Sequence, residues 1–243
     1  SNLMQGAQPG TMIIVDQFGQ VIAGQIADSV LQEMAAKEAQ RYISKGLSRK
    51  LMLTNGDKFL EIFINVSCPA DKLIIVGSGN MVQDLYQLAL VVGYNISIID
   101  NQPQTLTRER FPLANELLLG DIAELLQSST IDSNTSIVLI SHNHEYDEPA
   151  LLAVVNSPAR YIGILGNKRK VTAYFSKLNE MGVAEELMNR VYVPVGLDLG
   201  GQKTSEIALA IMAEILAVKY GRPGGFMSIR SVTKEMERHD IYY

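Results

Sequence analysis

Between residue 72 and about residue 220, short apolar runs alternate with longer segments whose apolar positions recur every three or four residues. Runs such as LIIV and IVLI are apolar throughout, which is typical of strands covered by helices on both faces. The alternation predicts a Rossmann-like, doubly wound parallel sheet over residues 71–222. The predicted strands are 73–77, 95–100, 116–119, 136–141, 160–165 and 190–194, and the predicted helices lie near 81–92, 121–128, 148–156, 168–181 and 204–220.

Residues 1–70 follow a different pattern, which predicts a smaller α+β domain. The apolar runs MIIVD and VIAG flank QFGQ, and a helical pattern begins near Asp28. Two further strand-like runs, LMLT and FLEIFINV, are separated by Asn55-Gly56-Asp57, a strong signal for a tight turn. The last segment, residues 223–243, is mixed in composition and is expected to be a carboxy-terminal tail.

Composition narrows the class of protein. With 243 residues and 47% hydrophobic content, the chain has material for one full domain and a smaller one. No apolar run reaches the roughly 18 to 20 residues of a membrane span, and no secretory leader opens the chain, so we expect a cytoplasmic protein without a membrane partner. Its first residues, Ser-Asn-Leu-Met, leave the natural start open.

Two further counts bear on partners and redox chemistry. The net charge of −5 argues against nucleic acid as a partner. The single cysteine, Cys68, excludes an intramolecular disulfide framework and fits a reducing compartment. No cationic residue lies beside Cys68 in sequence, so it is read as a linker or core residue rather than as a catalyst.

A glycine turn follows the first strand of the large domain. Gly77-Ser78-Gly79-Asn80 leads into a helix, and such a turn lets a phosphate approach backbone N–H groups. Asp100 ends the next strand, where an acidic residue can bond a ribose hydroxyl. Val82 occupies the position of the third glycine in the dinucleotide motif. The turn therefore predicts a nucleotide-like ligand, with a purely structural strand-to-helix turn as the alternative.

Polar residues also follow other strands at the carboxyl end of the predicted sheet. His142 and His144 come after the fourth strand, where they can hydrogen-bond a ligand or serve packing and helix capping. A permanent metal site is not expected, because a closed zinc site needs further ligands and the only other histidine lies in the tail.

Two later turns add charge and glycine to the same end of the sheet. Asn167, Lys168 and Arg169 follow the fifth strand, which indicates either an anionic ligand or a solvated face. Gly196 and Asp198 lie in a glycine-rich loop that precedes the last helix and is expected to contribute to binding.

Taken in order, these segments resemble the XdhC/CoxF family of maturation factors for xanthine and carbon monoxide dehydrogenases. The resemblance runs from about residue 72 to residue 222 and rests on LIIVGSGNMVQDLYQLALVVGYNISIIDNQP, RERFP, SHNHEYDEPAL, GILGNKRK, PVGLDLGG and EIALAIMAEILAV. In the amino-terminal domain, PGTMIIVDQFGQVIAG resembles the family's short strand pair. The glycine- and cysteine-containing stretch that the family has next is replaced by GQIADSVLQ, so we expect this domain to be truncated or divergent.

The resemblance implies a chaperone rather than an enzyme. Such a protein binds the molybdenum cofactor, as molybdopterin or its dinucleotide, and inserts it into a xanthine dehydrogenase-type molybdenum hydroxylase. A cysteine desulfurase is implied as a further partner, and a homodimer is expected. The alternatives are an NAD(P)-dependent oxidoreductase and a nucleotide-sensing regulatory module. The expected cofactor-binding residues are Gly77, Ser78, Gly79, Asn80, Asp100, His142, His144, Asn167, Lys168, Arg169, Gly196 and Asp198.

Overall fold

The structure is a computed structural model that describes residues 8–67, 70–142, 145–166, 176, 178–180 and 182–227. The chain divides into two compact units, with the boundary after Pro69. The expected tail lies outside the described residues from residue 228 onward, as does Cys68.

The amino-terminal unit consists of two separate hairpins and one helix. Its elements are β1 (Ile13–Val15), β2 (Val21–Gly24), α1 (Ser29–Ile43), β3 (Arg49–Asn55) and β4 (Lys58–Ile64). β1 pairs with β2 and β3 with β4, both antiparallel. The Asp28 carboxylate caps α1 by accepting hydrogen bonds from the N–H groups of Val30 and Leu31. Apolar side chains of both hairpins pack on α1 around Leu31.

The carboxy-terminal unit is built on a six-stranded, all-parallel sheet in the order β10-β9-β8-β5-β6-β7. The strands are β5 (Lys72–Val76), β6 (Asn95–Asp100), β7 (Glu116–Leu119), β8 (Thr135–Leu139), β9 (Tyr161–Ile164) and β10 (Val191–Tyr192). The chain proceeds outward from β5 through β6 to β7 and then returns to the other side of β5 with β8. A topological switch point therefore lies between β5 and β8, the place in such sheets where ligands gather.

Helices cover both faces of this sheet. They are α2 (Asn80–Val92), α3 (Ile122–Ser128), α4 (Asp147–Val154), α5 (Glu185–Met188) and α6 (Thr204–Lys219). Leu73 and Ile75 of β5 face the core beneath α2 and α6, whereas Ile74 and Val76 face the core beneath α3 and α4. Alternate residues of an apolar strand thus fill two cores, which confirms the Rossmann-like fold predicted from sequence.

Where described residues allow a comparison, predicted and observed elements differ mainly at their ends. β10 is only two residues long, because Pro194 follows closely and offers no N–H for pairing. The short helix α5 was not predicted from the sequence. Most of the helix predicted at 168–181 lies outside the described residues.

Candidate functional site

The glycine turn between β5 and α2 lies at the switch point. The Gly77 N–H donates to the Ile99 carbonyl at 2.8 Å, and its φ of +114° lies in the left-handed region. A Cβ on Gly77 would lie 2.3 Å from the Ile140 carbonyl oxygen, at the end of β8. The ends of β5, β6 and β8 lie so close together here that only glycine fits.

The start of α2 is open by contrast. Gly79 is the N-cap, and a Cβ built there would have no atom within 4 Å. Within the described part of the chain no side chain caps the first N–H groups of α2, and its first turn contains no acidic residue. Free N–H groups at a helix N-terminus favour an anion. The exposed residues Gly79 and Asn80 therefore form an open cradle whose position at the helix start favours an anion, while the buried Gly77 shapes the turn that leads into it.

Ser78 and Asp100 form a buried hydrogen-bonded pair beneath this cradle. The Ser78 hydroxyl lies 2.5 Å from the Asp100 Oδ2 and 2.5 Å from the Thr105 hydroxyl. The other carboxylate oxygen of Asp100 accepts from the Asn101 N–H at 2.7 Å. Ser78 and Asp100 are each 1% exposed. Their polar groups thus fix the turn to the segment that follows β6.

Arg110 is a residue of this site that the sequence analysis did not select. One guanidinium nitrogen, Nη1, donates to the carbonyls of Ser78 at 2.7 Å and Thr105 at 3.3 Å. The other nitrogen, Nη2, donates to the side-chain oxygens of Asn80 at 3.2 Å and Gln83 at 3.4 Å. Arg110 thus places a positive charge beside the start of α2. Its position in the RERFP motif was the available signal.

His142 follows β8 on the other side of the switch point and is exposed. Its Nε2 lies 2.6 Å from the side-chain nitrogen of Gln102, which belongs to the segment after β6. Its ring contacts that of Tyr146, with centroids 6.0 Å apart. His142 and Gln102 thus connect the segment after β8 with the segment after β6, on either side of the glycine turn. His144 lies outside the described residues, as do Asn167, Lys168 and Arg169.

The loop after β10 returns to the edge beside β9, because the Val195 N–H donates to the Ile164 carbonyl at 3.1 Å. Gly196, with φ +103°, donates its N–H to the Glu214 carboxylate at 2.9 Å, so that N–H is occupied by the protein itself. Asp198 follows in the same loop and is exposed.

The same Glu214 carboxylate accepts from the Tyr161 hydroxyl at 2.5 Å. Burial raises the pKa of Tyr161 well above its ordinary value, and the bond to Glu214 acts in the same direction. This pair, of which Tyr161 is buried and Glu214 partly buried, anchors the Gly196 loop on α6. Glu214 was not predicted from the sequence, although a lone carboxylate within the apolar run AIMAEILAV was a usable signal.

The glycine-rich loop also shows how α6 begins. The N-cap of this helix is Lys203, and the helix starts after it. Glu206 instead reaches back and accepts from the N–H groups of Gln202 and Lys203, at 3.0 and 3.1 Å. A glutamate in the third helical position commonly satisfies these donors.

Among the described residues, no three histidine, cysteine or acidic side chains come together as metal ligands. None of the helices in that part of the chain is both long and apolar enough to cross a membrane.

The sequence profile described as the XdhC Rossmann domain matches residues 73–215, which is more than half of the chain. Among curated proteins, the chain is 33% identical over 168 residues to the uncharacterized protein YqeB of Escherichia coli K12, covering 69% of this chain and 31% of YqeB. It is 26% identical over 169 residues to a probable xanthine dehydrogenase subunit of Bacillus subtilis 168, covering 70% and 49% of the two chains. It is also 26% identical over 151 residues to the molybdenum cofactor insertion chaperone PaoD of Escherichia coli K12, covering 62% and 41%.

A solved structure shares the fold. The crystal structure of a xanthine dehydrogenase from Bacillus halodurans matches 82% of this chain and 67% of its own, with a TM-score of 0.58 and 22% identity. The chain spans less than half the length of the three curated relatives. With a matching domain profile that runs from β5 into α6, the chain belongs to the XdhC family.

Proposed function

We propose that this chain binds the molybdenum cofactor and delivers it to a xanthine dehydrogenase-type molybdenum hydroxylase. The supporting observation is the open cradle at the switch point, where Gly79 is exposed and has open space around it at the uncapped start of α2. Family membership and the names of two relatives, a cofactor insertion chaperone and a xanthine dehydrogenase subunit, support the same role.

The residues of the cradle fit the phosphate end of such a cofactor. Gly79 and Asn80 present the start of α2, and Arg110 adds a positive charge beside it. His142 and Gln102 stand across the switch point, where they are proposed to meet the pterin. When bound, the cofactor supplies the molybdenum centre of the client enzyme. This chain's residues bind it, orient it and shield one end of it.

A single substitution tests the proposal. Gly79→Asp adds bulk and negative charge where a Cβ meets no neighbour, so the protein should fold while the phosphate is repelled. We expect wild-type protein from molybdenum-replete cells to retain molybdenum and pterin, measured by metal analysis and by fluorescence after oxidation, and the variant to retain neither. Gly225→Asp is the matched control, because this glycine also has open space around it. Full cofactor retention by folded Gly79→Asp would refute the assignment.

The rival hypothesis, an NAD(P)-dependent oxidoreductase, asks Asp100 to bond a ribose hydroxyl. Both oxygens of Asp100 already accept hydrogen bonds from the protein, and the residue is 1% exposed. The geometry therefore favours a ligand that needs no such bond. Micromolar NADH or NADPH binding with turnover of a carbonyl substrate would reverse this preference.

Other expectations stand as proposals alongside the function. We predict from the sequence a cysteine desulfurase partner, a homodimer and a cytoplasmic location. We also predict cofactor-binding roles for His144, Asn167, Lys168, Arg169, Gly196 and Asp198. Sedimentation of the purified chain measures the oligomeric state directly.

A further inference from the structure

The two terminal nitrogens of the Arg110 guanidinium have different kinds of hydrogen-bond partner, and this difference bears on ligand binding. Its Nη1 is fixed by two backbone carbonyls, those of Ser78 and Thr105, which lie on the turn and on the segment after β6. Among the described residues, its Nη2 contacts only neutral side-chain oxygens, those of Asn80 at 3.2 Å and Gln83 at 3.4 Å. One half of the guanidinium is therefore anchored on the backbone, while the other half has side-chain amide partners that a ligand can replace.

The charge of Arg110 is also poorly compensated. The residue is partly buried, and among the described residues it makes no ion pair with a carboxylate. Asp100 is connected to it through Ser78. A cation beside a helix N-terminus is unfavourable, because the helix end itself carries positive partial charge. The uncapped start of α2 and Arg110 thus reinforce one another in favouring an anion.

Resting on the proposed function, we propose that Arg110 is the charge-reading residue of the cradle. Nη1 stays on the Ser78 and Thr105 carbonyls and keeps the guanidinium in place. Nη2 exchanges its neutral amide partners for a phosphate oxygen of the cofactor. An arginine anchored in this way loses little freedom on binding, and a charged hydrogen bond is stronger than those it replaces. The site then selects phosphate-bearing ligands by charge as well as by backbone N–H groups.

The experiment compares three variants of the whole chain, with inorganic pyrophosphate as the probe in titration calorimetry. Arg110→Gln removes the charge, and Arg110→Lys keeps the charge without the planar fork. Arg108→Gln is the matched control: it lies two residues away and donates to the Ala114 carbonyl, not to the glycine turn. Each variant is also purified from molybdenum-replete cells, and its molybdenum and pterin contents are measured.

We expect Arg110→Gln to lower the affinity for pyrophosphate about 10- to 100-fold, as expected for the loss of one charged hydrogen bond. Its remaining affinity should depend less on potassium chloride than that of the wild type, because one screened charge has gone. Arg110→Lys should recover the wild-type salt dependence and part of the affinity. Arg108→Gln should match the wild type. A purely structural role for Arg110 would not change the salt dependence.

The outcomes separate this inference from the proposed function. Equal pyrophosphate affinity and salt dependence in wild type and Arg110→Gln would overturn the role of Arg110, even if cofactor is retained. A weaker pyrophosphate affinity in Arg110→Gln but not in Arg108→Gln, with no cofactor in wild-type protein, would support the charge-reading role and overturn the proposed function. If Arg110→Gln does not fold, Arg110→Lys decides: unchanged affinity in this folded variant would count against a role for the fork.

Discussion

The two units of the chain bury their apolar residues to very different degrees. In the carboxy-terminal unit, four consecutive residues of β5, from Leu73 to Val76, are 0% exposed, because neighbouring strands and two layers of helices surround them. In the amino-terminal unit, Met52 of β3 is 62% exposed and Phe63 of β4 is 69% exposed, because α1 covers only one face of the hairpin. Burial on both faces needs a parallel sheet with helices on either side.

The amino-terminal unit also leaves a groove among its own elements. An apolar cavity of about 640 Å³ is lined by β1, β4 and the small α1 residues Ala35 and Ala39. Two-stranded sheets are marginal without further packing. The two units have a similar share of apolar residues, but only the carboxy-terminal unit has a topology that covers them on both faces of a sheet. We therefore expect the amino-terminal unit to be the less stable of the two.

Replacing one buried leucine by alanine in each unit gives the largest expected change in unfolding free energy. Leu31 and Leu85 are both 0% exposed, and truncating either to alanine should cost about 2–5 kcal/mol of unfolding free energy. We expect Leu31→Ala to unfold the amino-terminal unit at room temperature, whereas Leu85→Ala should lower the unfolding midpoint of a unit that stays folded. Hydrogen exchange resolved by peptide distinguishes the units. Equal loss of protection in both would contradict the difference in stability.

The second expected effect concerns the glycine turn. Gly77→Ala should lower the unfolding free energy by about 2–4 kcal/mol, because alanine disfavours a positive φ and its Cβ would clash with a carbonyl oxygen. Gly79→Ala is the control, with a φ of −73° and open space around it, and should change stability little. Urea unfolding followed by circular dichroism measures both. Identical midpoints for the two variants would show that the turn is not constrained as described.

The main features of the fold were predictable from sequence because they have local signatures. The apolar runs of β5 and β8 and the Gly77-Ser78-Gly79 turn each lie within one short stretch. The contacts of the site have no such signature. Ser78 meets Asp100 22 positions away, and Arg110 meets Ser78 32 positions away, so only the folded sheet brings them together. For this reason Asp100 was expected to face a ligand, whereas its carboxylate bonds to Ser78 and Asn101.

The smallest expected effect comes from ion pairs, which again differ between the units. In the carboxy-terminal unit, Asp71 accepts from Lys219 at 2.6 Å and from Arg160 at 2.7 Å, and its side chain is 18% exposed. Burial alone would raise the pKa of Asp71, but the hydrogen bonds from Lys219 and Arg160 outweigh it and hold that pKa below its usual value. In the amino-terminal unit, Lys58 pairs with Asp28 at 2.8 Å while its own side chain is 47% exposed.

Because folding lowers the pKa of Asp71, its stabilising contribution is complete above the pKa of the unfolded chain, about 4, and disappears as the pH falls through the folded value. Asp71→Asn should therefore cost about 1–3 kcal/mol at neutral pH and progressively less in acid. Lys58→Met should change the melting temperature only slightly, since exposed pairs contribute little. Melting curves of both variants across acidic and neutral pH provide the measurement. A loss of stability in Asp71→Asn that does not change with pH would mean that the packing of Asp71, and not its charge, stabilises this unit.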